Sequence, residues 1–342
     1  MKALVFYEHG ELDVLRYEDV PVPEPGPGEV LVKLEAAALN HLDIWVRRGW
    51  PGLKLKMPHI GGADGAGTVV KLGPGVTGIE VGTRVAINPG SNAFEDEFTR
   101  RGEHSMSPGY GILGESRPGT FAEYVVTPAE SLLPMPDGAS FEETAAAQLV
   151  FLTAWRMLMI RAGLRAGESV LIIGAGGGVN TAALQIAKLA GAEVYALTST
   201  EEKMEKARQL GADHVINYKT EDWVKRILDL TGKRGVDLVV DNVGQATWKK
   251  SMQVARRGGR IVTVGNTSGP LAETDIRYIF AKHLTIIGST MGSPQEFRDV
   301  MALIWAGKLR PIVDCVMPLS EGRQAQALME SGQQFGKIVL KP

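Results

Sequence analysis

Four apolar residues, Val170-Leu171-Ile172-Ile173, run straight into Gly174-Ala175-Gly176-Gly177-Gly178-Val179-Asn180 and then into a helical pattern over residues 181–189. Nothing else in the 342 residues constrains the fold as strongly. A strand that is apolar at every position is buried on both faces, as in parallel sheets. A glycine-rich turn from such a strand into a helix lets the backbone approach a pyrophosphate at the helix N-terminus. The glycines alone are weak evidence, but here the strand precedes them and the helix follows. Further apolar runs at 194–197, 215–216, 236–240 and 261–264 leave room between them for helices such as 201–209. This spacing predicts a doubly wound parallel sheet, a dinucleotide-binding α/β unit over residues 136–289.

Residues 1–135 have another texture. Short apolar runs are broken by Gly and Pro, as in Pro21-Val22-Pro23-Glu24-Pro25-Gly26-Pro27-Gly28 and Leu72-Gly73-Pro74-Gly75-Val76. That pattern predicts many short strands in an irregular barrel. Residues 88–119 form a polar excursion longer than ordinary connections. A chain of this length exceeds what one core usually supports, so two domains are expected. A net charge of −2 gives no reason to expect nucleic acid or an anionic membrane as partner. The single Cys315 excludes an intrachain disulfide, and no stretch approaches the ~20 apolar residues of a membrane helix. The expectation is a soluble cytoplasmic protein acting on a small molecule. No G-x-S-x-G elbow suggests a serine nucleophile.

Together with Gly62-Ala63-Asp64-Gly65-Ala66-Gly67 and Asn40-His41-Leu42-Asp43-Ile44-Trp45-Val46-Arg47-Arg48-Gly49, the glycine turn resembles the medium-chain dehydrogenase/reductase superfamily. That superfamily holds zinc alcohol dehydrogenases and zinc-free quinone and enoyl reductases. The resemblance implies a GroES-like β-barrel catalytic domain over 1–135, completed by 290–342, beside the Rossmann domain. It also places the catalytic zinc ligands of the zinc branch at Asn40, Ala63 and Leu149. Catalytic zinc needs three N, S or O donors, and these residues supply at best one poor one. The four structural-zinc thiolates would fall on Ala93, Asp96, Thr99 and Ser107, so no zinc is expected at either place. Glu95, Asp96, Glu97, Glu103 and His104 are read as a solvated loop.

The offset frame Ala175-x-Gly177-x-x-Asn180 puts Asn180 where a third glycine would allow close helix packing, so a slightly wider turn is expected. At the end of the next strand, NAD-specific sites carry an acid. Here Thr198 and Ser199 stand instead, with Lys203 beyond, a set suited to a 2′-phosphate and so to NADPH rather than NADH. A helix cap is the other role open to Ser199. Tyr218 resembles the tyrosine near the adenosine phosphate of NADPH quinone reductases. By the same resemblance Asn242 lines the adenosine half of the cofactor and Gly265 and Asn266 the nicotinamide half. Lys337 either reaches the cofactor or is a surface lysine.

Without a metal to polarise oxygen, a simple alcohol is a hard substrate. A quinone, or a double bond conjugated to a carbonyl, spreads the developing charge and needs only hydrogen bonds. Asn40, His41 and Asp43 are the polar residues expected at the reaction centre. His41 either gives a proton to the product or binds a cofactor ribose. Asp43 is expected to orient neighbours and to pair with Arg47 or Arg48, and Trp50 and Tyr110 either wall an aromatic pocket or pack a loop. Two further readings stay open: an alcohol dehydrogenase or aldehyde reductase working without zinc, and a non-catalytic NADPH-binding protein. The apolar run 284–290 reads as a late strand of the sheet; the resemblance implies that it pairs with its mate in a second copy, giving a homodimer, and an edge left unpaired would be an aggregation liability.

Overall fold

The last strand, Lys337–Lys341, lies antiparallel to Glu29–Ala38, with Val339 opposite Ala38 and Leu340 opposite Ala37. Its other neighbour is Val313–Pro318, so Ile338, Val339 and Leu340 are all buried. This pairing returns the C-terminal residues to the N-terminal unit. In the computed structural model, which describes all 342 residues, the chain divides into Met1–Leu152 with Gly292–Pro342, and Thr153–Met291.

The first unit is built on a seven-stranded sheet ordered Leu132–Pro134, Arg84–Ile87, Asp64–Leu72, Glu29–Ala38, Lys337–Lys341 and Val313–Pro318, with Tyr124–Pro128 also on Glu29–Ala38. A smaller sheet joins Arg16–Asp19, Lys2–Phe6 and His59–Ile60. Val30, Val32 and Leu34 pack against Val69, Val85 and Ile87 to form one core beneath the long strands. The division from the second unit falls inside the helix Phe141–Trp155, later than the expected 135/136 boundary. Gln148 explains the difference: its side chain bonds both backbone groups of Gly65, at 2.8 and 2.7 Å, and keeps that part of the helix with the barrel.

The 88–119 excursion carries a two-stranded ladder, Gly90–Asn92 with Tyr110–Ile112, and a short helix, Glu97–Arg100. Asp96 Oδ1 caps that helix, accepting from the N–H groups of Phe98 and Thr99 at 2.9 and 3.0 Å. Thr99 Oγ1 accepts from the Asp96 N–H at 2.8 Å, and Ser107 Oγ from the Gly109 N–H at 3.0 Å. Ordinary hydrogen bonds thus occupy the positions expected from the resemblance to carry thiolates.

In the second unit six parallel strands run in the order His214–Asn217, Glu193–Thr198, Ser169–Ile173, Val236–Val240, Ala255–Thr263, Thr285–Gly288. By position in the chain this is 3-2-1-4-5-6, the doubly wound arrangement, whose strand order reverses beside Ser169–Ile173. The helix Gly178–Leu189 leaves the glycine turn there. Gly174 has φ 77°, a backbone region that a β-carbon disfavours, so the turn needs glycine at that residue. No helix is long and apolar enough to cross a membrane.

Candidate functional site

Two polar constellations stand out, one in each unit. In the second, Asn180 is bonded on both sides of its amide. Its Nδ2 donates to the carbonyls of Ile173 at 2.7 Å and Gly174 at 2.9 Å, and its Oδ1 accepts from Asn242 Nδ2 at 2.9 Å. Asn242 Oδ1 in turn accepts from the Val264 N–H at 3.1 Å. The asparagine pair ties the turn to the ends of two neighbouring strands, and Gly177, the N-cap of Gly178–Leu189, puts no side chain on the first N–H groups of that helix, which suits an anion site. Replacing Asn180 with Ala takes the amide donor from the Ile173 and Gly174 carbonyls, leaving Gly174 the Gly177 N–H at 3.1 Å, and takes the acceptor from Asn242 Nδ2. The expected cost is about 2 kcal/mol, read as a lower urea midpoint at constant slope.

Of the four side chains expected around a 2′-phosphate, Thr198 is the one that is buried. It is 2 % exposed, and its Oγ1 is buried without a hydrogen-bond partner. The strand is buried on both faces to its last residue, and alternation therefore cannot turn Thr198 outward. Ser199 and Lys203 are half-buried and Tyr218 is exposed. The cap of Glu201–Gln209 is Thr200, not Ser199; its Oγ1 accepts from the Lys203 N–H at 3.3 Å. Gly265 and Asn266 follow the strand Ala255–Thr263, Gly265 half-buried and Asn266 exposed.

In the first unit, sheet register brings three distant residues together. Ala38 faces Asp64 across one ladder and Val339 across the other, so Asn40, Asp64 and Lys337 meet at one sheet end. Lys337 Nζ donates to Asn40 Oδ1 at 2.6 Å and to Asp64 Oδ2 at 3.0 Å. Asn40 Nδ2 donates to the same Asp64 oxygen at 2.9 Å, while Asp64 Oδ1 accepts from the Leu149 N–H at 2.9 Å. All three side chains are buried, Lys337 at 4 % exposure. Lys337 is therefore no surface lysine. Asp64 and Gln148 are absent from the residues singled out in the sequence. The only signal for Asp64 was its place in a glycine-flanked run.

Asp43 does not pair with Arg47 or Arg48. Its carboxylate accepts from the backbone N–H groups of Asn40 at 2.7 Å and Gly62 at 3.1 Å, bracing the start of the helix His41–Arg48. Arg47 turns instead to Gln326 and Glu330, and Arg48 to Glu11. Gly62 is held at φ 97°, and a β-carbon there would fall 2.6 Å from Thr120 Oγ1, so this support also depends on glycine. Burial pushes the Asp43 carboxyl up to about 7, against the pull of the Asn40 N–H and the Lys337 charge. His41 sits edge-on to Trp45 at 4.9 Å, and burial, then the nearby Arg48, holds its imidazole below the usual histidine value. Trp50 is exposed, and Tyr110 Oη lies 3.5 Å from the Gly292 carbonyl.

The donor set fits no zinc. Asn40 has its amide committed to Lys337 and Asp64, Ala63 has no donor, and Leu149 offers only a backbone N–H, already given to Asp64. Nowhere do three His, Cys, Asp or Glu side chains gather as a metal site.

Comparison with known proteins agrees with this architecture. A model of the alcohol dehydrogenase GroES-like domain matches residues 26–137, and one described as zinc-binding dehydrogenase matches 178–306. A zinc-type alcohol dehydrogenase-like protein of Schizosaccharomyces pombe is 37% identical over 99% of both chains. An acryloyl-coenzyme A reductase of Sulfurisphaera tokodaii is 30% identical over 100% of each. The crystal structure of an NAD-dependent alcohol dehydrogenase superposes over 100% of both chains with a TM-score of 0.96 and 46% identity. Similarity of this degree along the full length leaves one assignment: the chain belongs to the medium-chain dehydrogenase/reductase superfamily, as an oxidoreductase working with a nicotinamide cofactor.

Proposed function

We propose that this protein is a zinc-independent, NADPH-dependent reductase of quinones or of double bonds conjugated to a carbonyl. The donor set carries the proposal, since Asn40, Ala63 and Leu149 supply no ligand sphere for the metal that would activate an alcohol. Similarity to acryloyl- and crotonyl-coenzyme A reductases supports the conjugated double bond. Similarity to NAD-dependent alcohol dehydrogenases supports the second reading, an aldehyde or alcohol substrate handled without zinc.

Bound NADPH supplies the hydride. Asn40, His41 and Asp43 remain the proposed polar groups of the substrate site, with Asp43 positioning the turn through the Asn40 and Gly62 N–H groups. A lowered pKa keeps His41 neutral at pH 7, which suits hydrogen bonding better than proton storage. The deciding assay follows NADPH and NADH oxidation, with a chelator present, against a quinone, an enone and an aldehyde. Chelator-insensitive turnover of quinone or enone is expected. Turnover of the aldehyde alone would select the second reading, and NADPH binding without turnover a non-catalytic role.

For the cofactor, the glycine turn from Gly174 to Val179 is the proposed pyrophosphate cradle, with Asn242, Gly265 and Asn266 along the strand ends. Ser199, Lys203 and Tyr218 are the proposed 2′-phosphate contacts. Lys203→Glu should lower kcat/KM for NADPH by roughly 10- to 100-fold, the size of a lost charge-assisted bond, and leave NADH within a few-fold. Equal losses with both cofactors would remove Lys203 from this role.

A homodimer is proposed through the edge of the second unit's sheet. Thr285–Gly288 has a sheet neighbour on one side only, and Leu271, Ile276 and Phe280 beside it in sequence are 81, 67 and 66 % exposed. Such an edge left bare invites aggregation. Sedimentation should give twice the 36.8 kDa chain mass, reduced to one chain by Phe280→Glu. A monomeric parent protein at micromolar concentration would end the idea.

A further inference from the structure

In the second unit, a fully buried carboxylate with only neutral partners follows the strand Val236–Val240. Asp241 Oδ1 accepts from the N–H groups of Val243 and Gly244, both at 3.0 Å. Its Oδ2 accepts from Ser251 Oγ at 2.6 Å, on the helix Trp248–Val254, and the Thr247 hydroxyl lies 2.8 and 2.9 Å from the two oxygens. Burying such a group is costly. The turn does not need it for satisfaction, because Val243 and Gly244 are half-buried and water would serve their N–H groups. What the carboxylate adds is direction, as aspartate does when it bonds the backbone two residues on. That direction matters because of what the turn carries. Ser169–Ile173 and Val236–Val240 flank the point where the strand order reverses, and dinucleotides bind outside the carboxyl ends of the strands there. Asn242 reaches from one of these strand ends to Asn180 at the other. The carbonyls of Asn242 and Val243 accept from the N–H groups of Thr267 at 3.3 Å and Ser268 at 2.9 Å, so the turn after the next strand is fixed to the same backbone.

We infer that Asp241 is the positioning residue of the cofactor crevice, fixing the Val243–Gly244 backbone so that Asn242 meets Asn180 and the 264–268 turn stays beside them. Its two oxygens divide the work: one holds the turn, the other holds the helix that follows, and the carboxylate sets the distance between them. The turn itself has little slack. Gly244 is held at φ 85°, and a β-carbon there would fall 3.0 Å from the Gly269 carbonyl oxygen. Asp241 acts on the cofactor only through Asn242 and the neighbouring turn, which makes it a positioning residue and not a catalytic one. The inference rests on reading Gly174–Val179 as the pyrophosphate cradle. It is indifferent to the acceptor and to the 2′-phosphate contacts, so it applies equally to NADPH and NADH, unlike the substitution at Lys203.

The test measures cofactor affinity without any acceptor, by fluorescence titration of the wild type, Asp241→Ala, Asp241→Asn, Ser169→Ala and Gly177→Val with NADPH and NADH. Asp241→Ala should weaken both cofactors roughly 10-fold, the size of one or two lost hydrogen bonds, with kcat at saturating cofactor within about threefold. Asp241→Asn should stay within about threefold of wild type, because its oxygen serves the two N–H groups while its NH₂ donates to the Ser251 and Thr247 hydroxyls. Ser169→Ala is the stability control. Its hydroxyl bonds the Asp237 carboxylate at 2.7 Å at the opposite end of the same two strands, so its urea midpoint should fall while affinity holds. A β-carbon at Gly177 meets nothing nearer than 3.7 Å, so Gly177→Val folds but crowds the first N–H groups of the helix, and its loss of affinity checks the cradle. Should Asp241→Ala not fold, Gly244→Ala displaces the same turn with the carboxylate in place, and a loss of roughly 10-fold is again expected. Wild-type affinity in the folded turn variant, or an equal loss in Ser169→Ala, would overturn the inference while a weakened Gly177→Val still reports a working cradle. Wild-type affinity in Gly177→Val would instead end the cradle reading, and the inference with it.

Discussion

Replacing Arg47 with Met is expected to destabilise the first unit by about 3 kcal/mol, the lower end of the range for breaking a buried ion pair. Arg47 is fully buried, on the helix His41–Arg48 that starts at the candidate site. Its guanidinium donates to the Gly10 carbonyl at 3.2 Å, to Gln326 Oε1 at 2.5 Å and to the Glu330 carboxylate. Gln326 and Glu330 lie on Gly322–Ser331, so one side chain links the site helix to the C-terminal helix. Met fills much of the volume but leaves the buried Gln326 oxygen and the Gly10 carbonyl without this donor. Glu330 keeps Arg48 at 3.4 Å, and this holds the cost to the lower end. Urea titration would show a lower midpoint at unchanged slope, and hydrogen exchange would rise in 41–48 and 322–331 together. A midpoint change worth under about 0.5 kcal/mol, as for an ordinary surface substitution, would refute this role.

Where local chemistry decides a boundary, the sequence was sufficient. The helix Glu201–Gln209 was legible to the residue, and Val236–Val240 likewise, because each changes character abruptly at both ends. Ala255–Thr263 was read as beginning at 261, since Arg256, Arg257, Gly258 and Gly259 look like a loop; the structure carries the strand through them with an irregularity in its pairing to Val236–Val240. The glycine turn was recognisable, but the part played by Asn180 was not, because a side chain reaching back six and seven residues leaves no periodic trace. The Asn40–Asp64–Lys337 cluster was the hardest to foresee. Its members are up to 297 residues apart, and only the register of two antiparallel ladders brings them together. Spacing along a chain can find a turn or a cap; it cannot find residues joined across a sheet.

Asp43 provides the second large effect, an unusual dependence of stability on pH. Its carboxyl is raised from 3.8 to about 7 in the folded chain, chiefly by burial. Between those values the native chain keeps a proton that the unfolded chain has released, so stability is gained at low pH and lost as pH rises toward 7. At about 1.4 kcal/mol per pH interval, the change between pH 5 and 8 comes to roughly 3 kcal/mol. His41 and His59, both lowered by burial, act in the opposite sense as they lose their protons, and Glu142, lowered to about 2 by its bond to Lys341, matters only below pH 4.5. Asp43→Asn isolates the carboxyl from these groups. The variant should be less stable than wild type at pH 5, because an amide cannot accept from both the Asn40 and Gly62 N–H groups without turning its own NH₂ toward one of them. Its disadvantage should then shrink by roughly 3 kcal/mol by pH 8, as the wild type pays to ionise a carboxyl the variant lacks. Urea midpoints measured for both proteins at half-unit steps across this range would show the curves converging. Parallel curves would mean that the two N–H groups hold Asp43 ionised throughout this range.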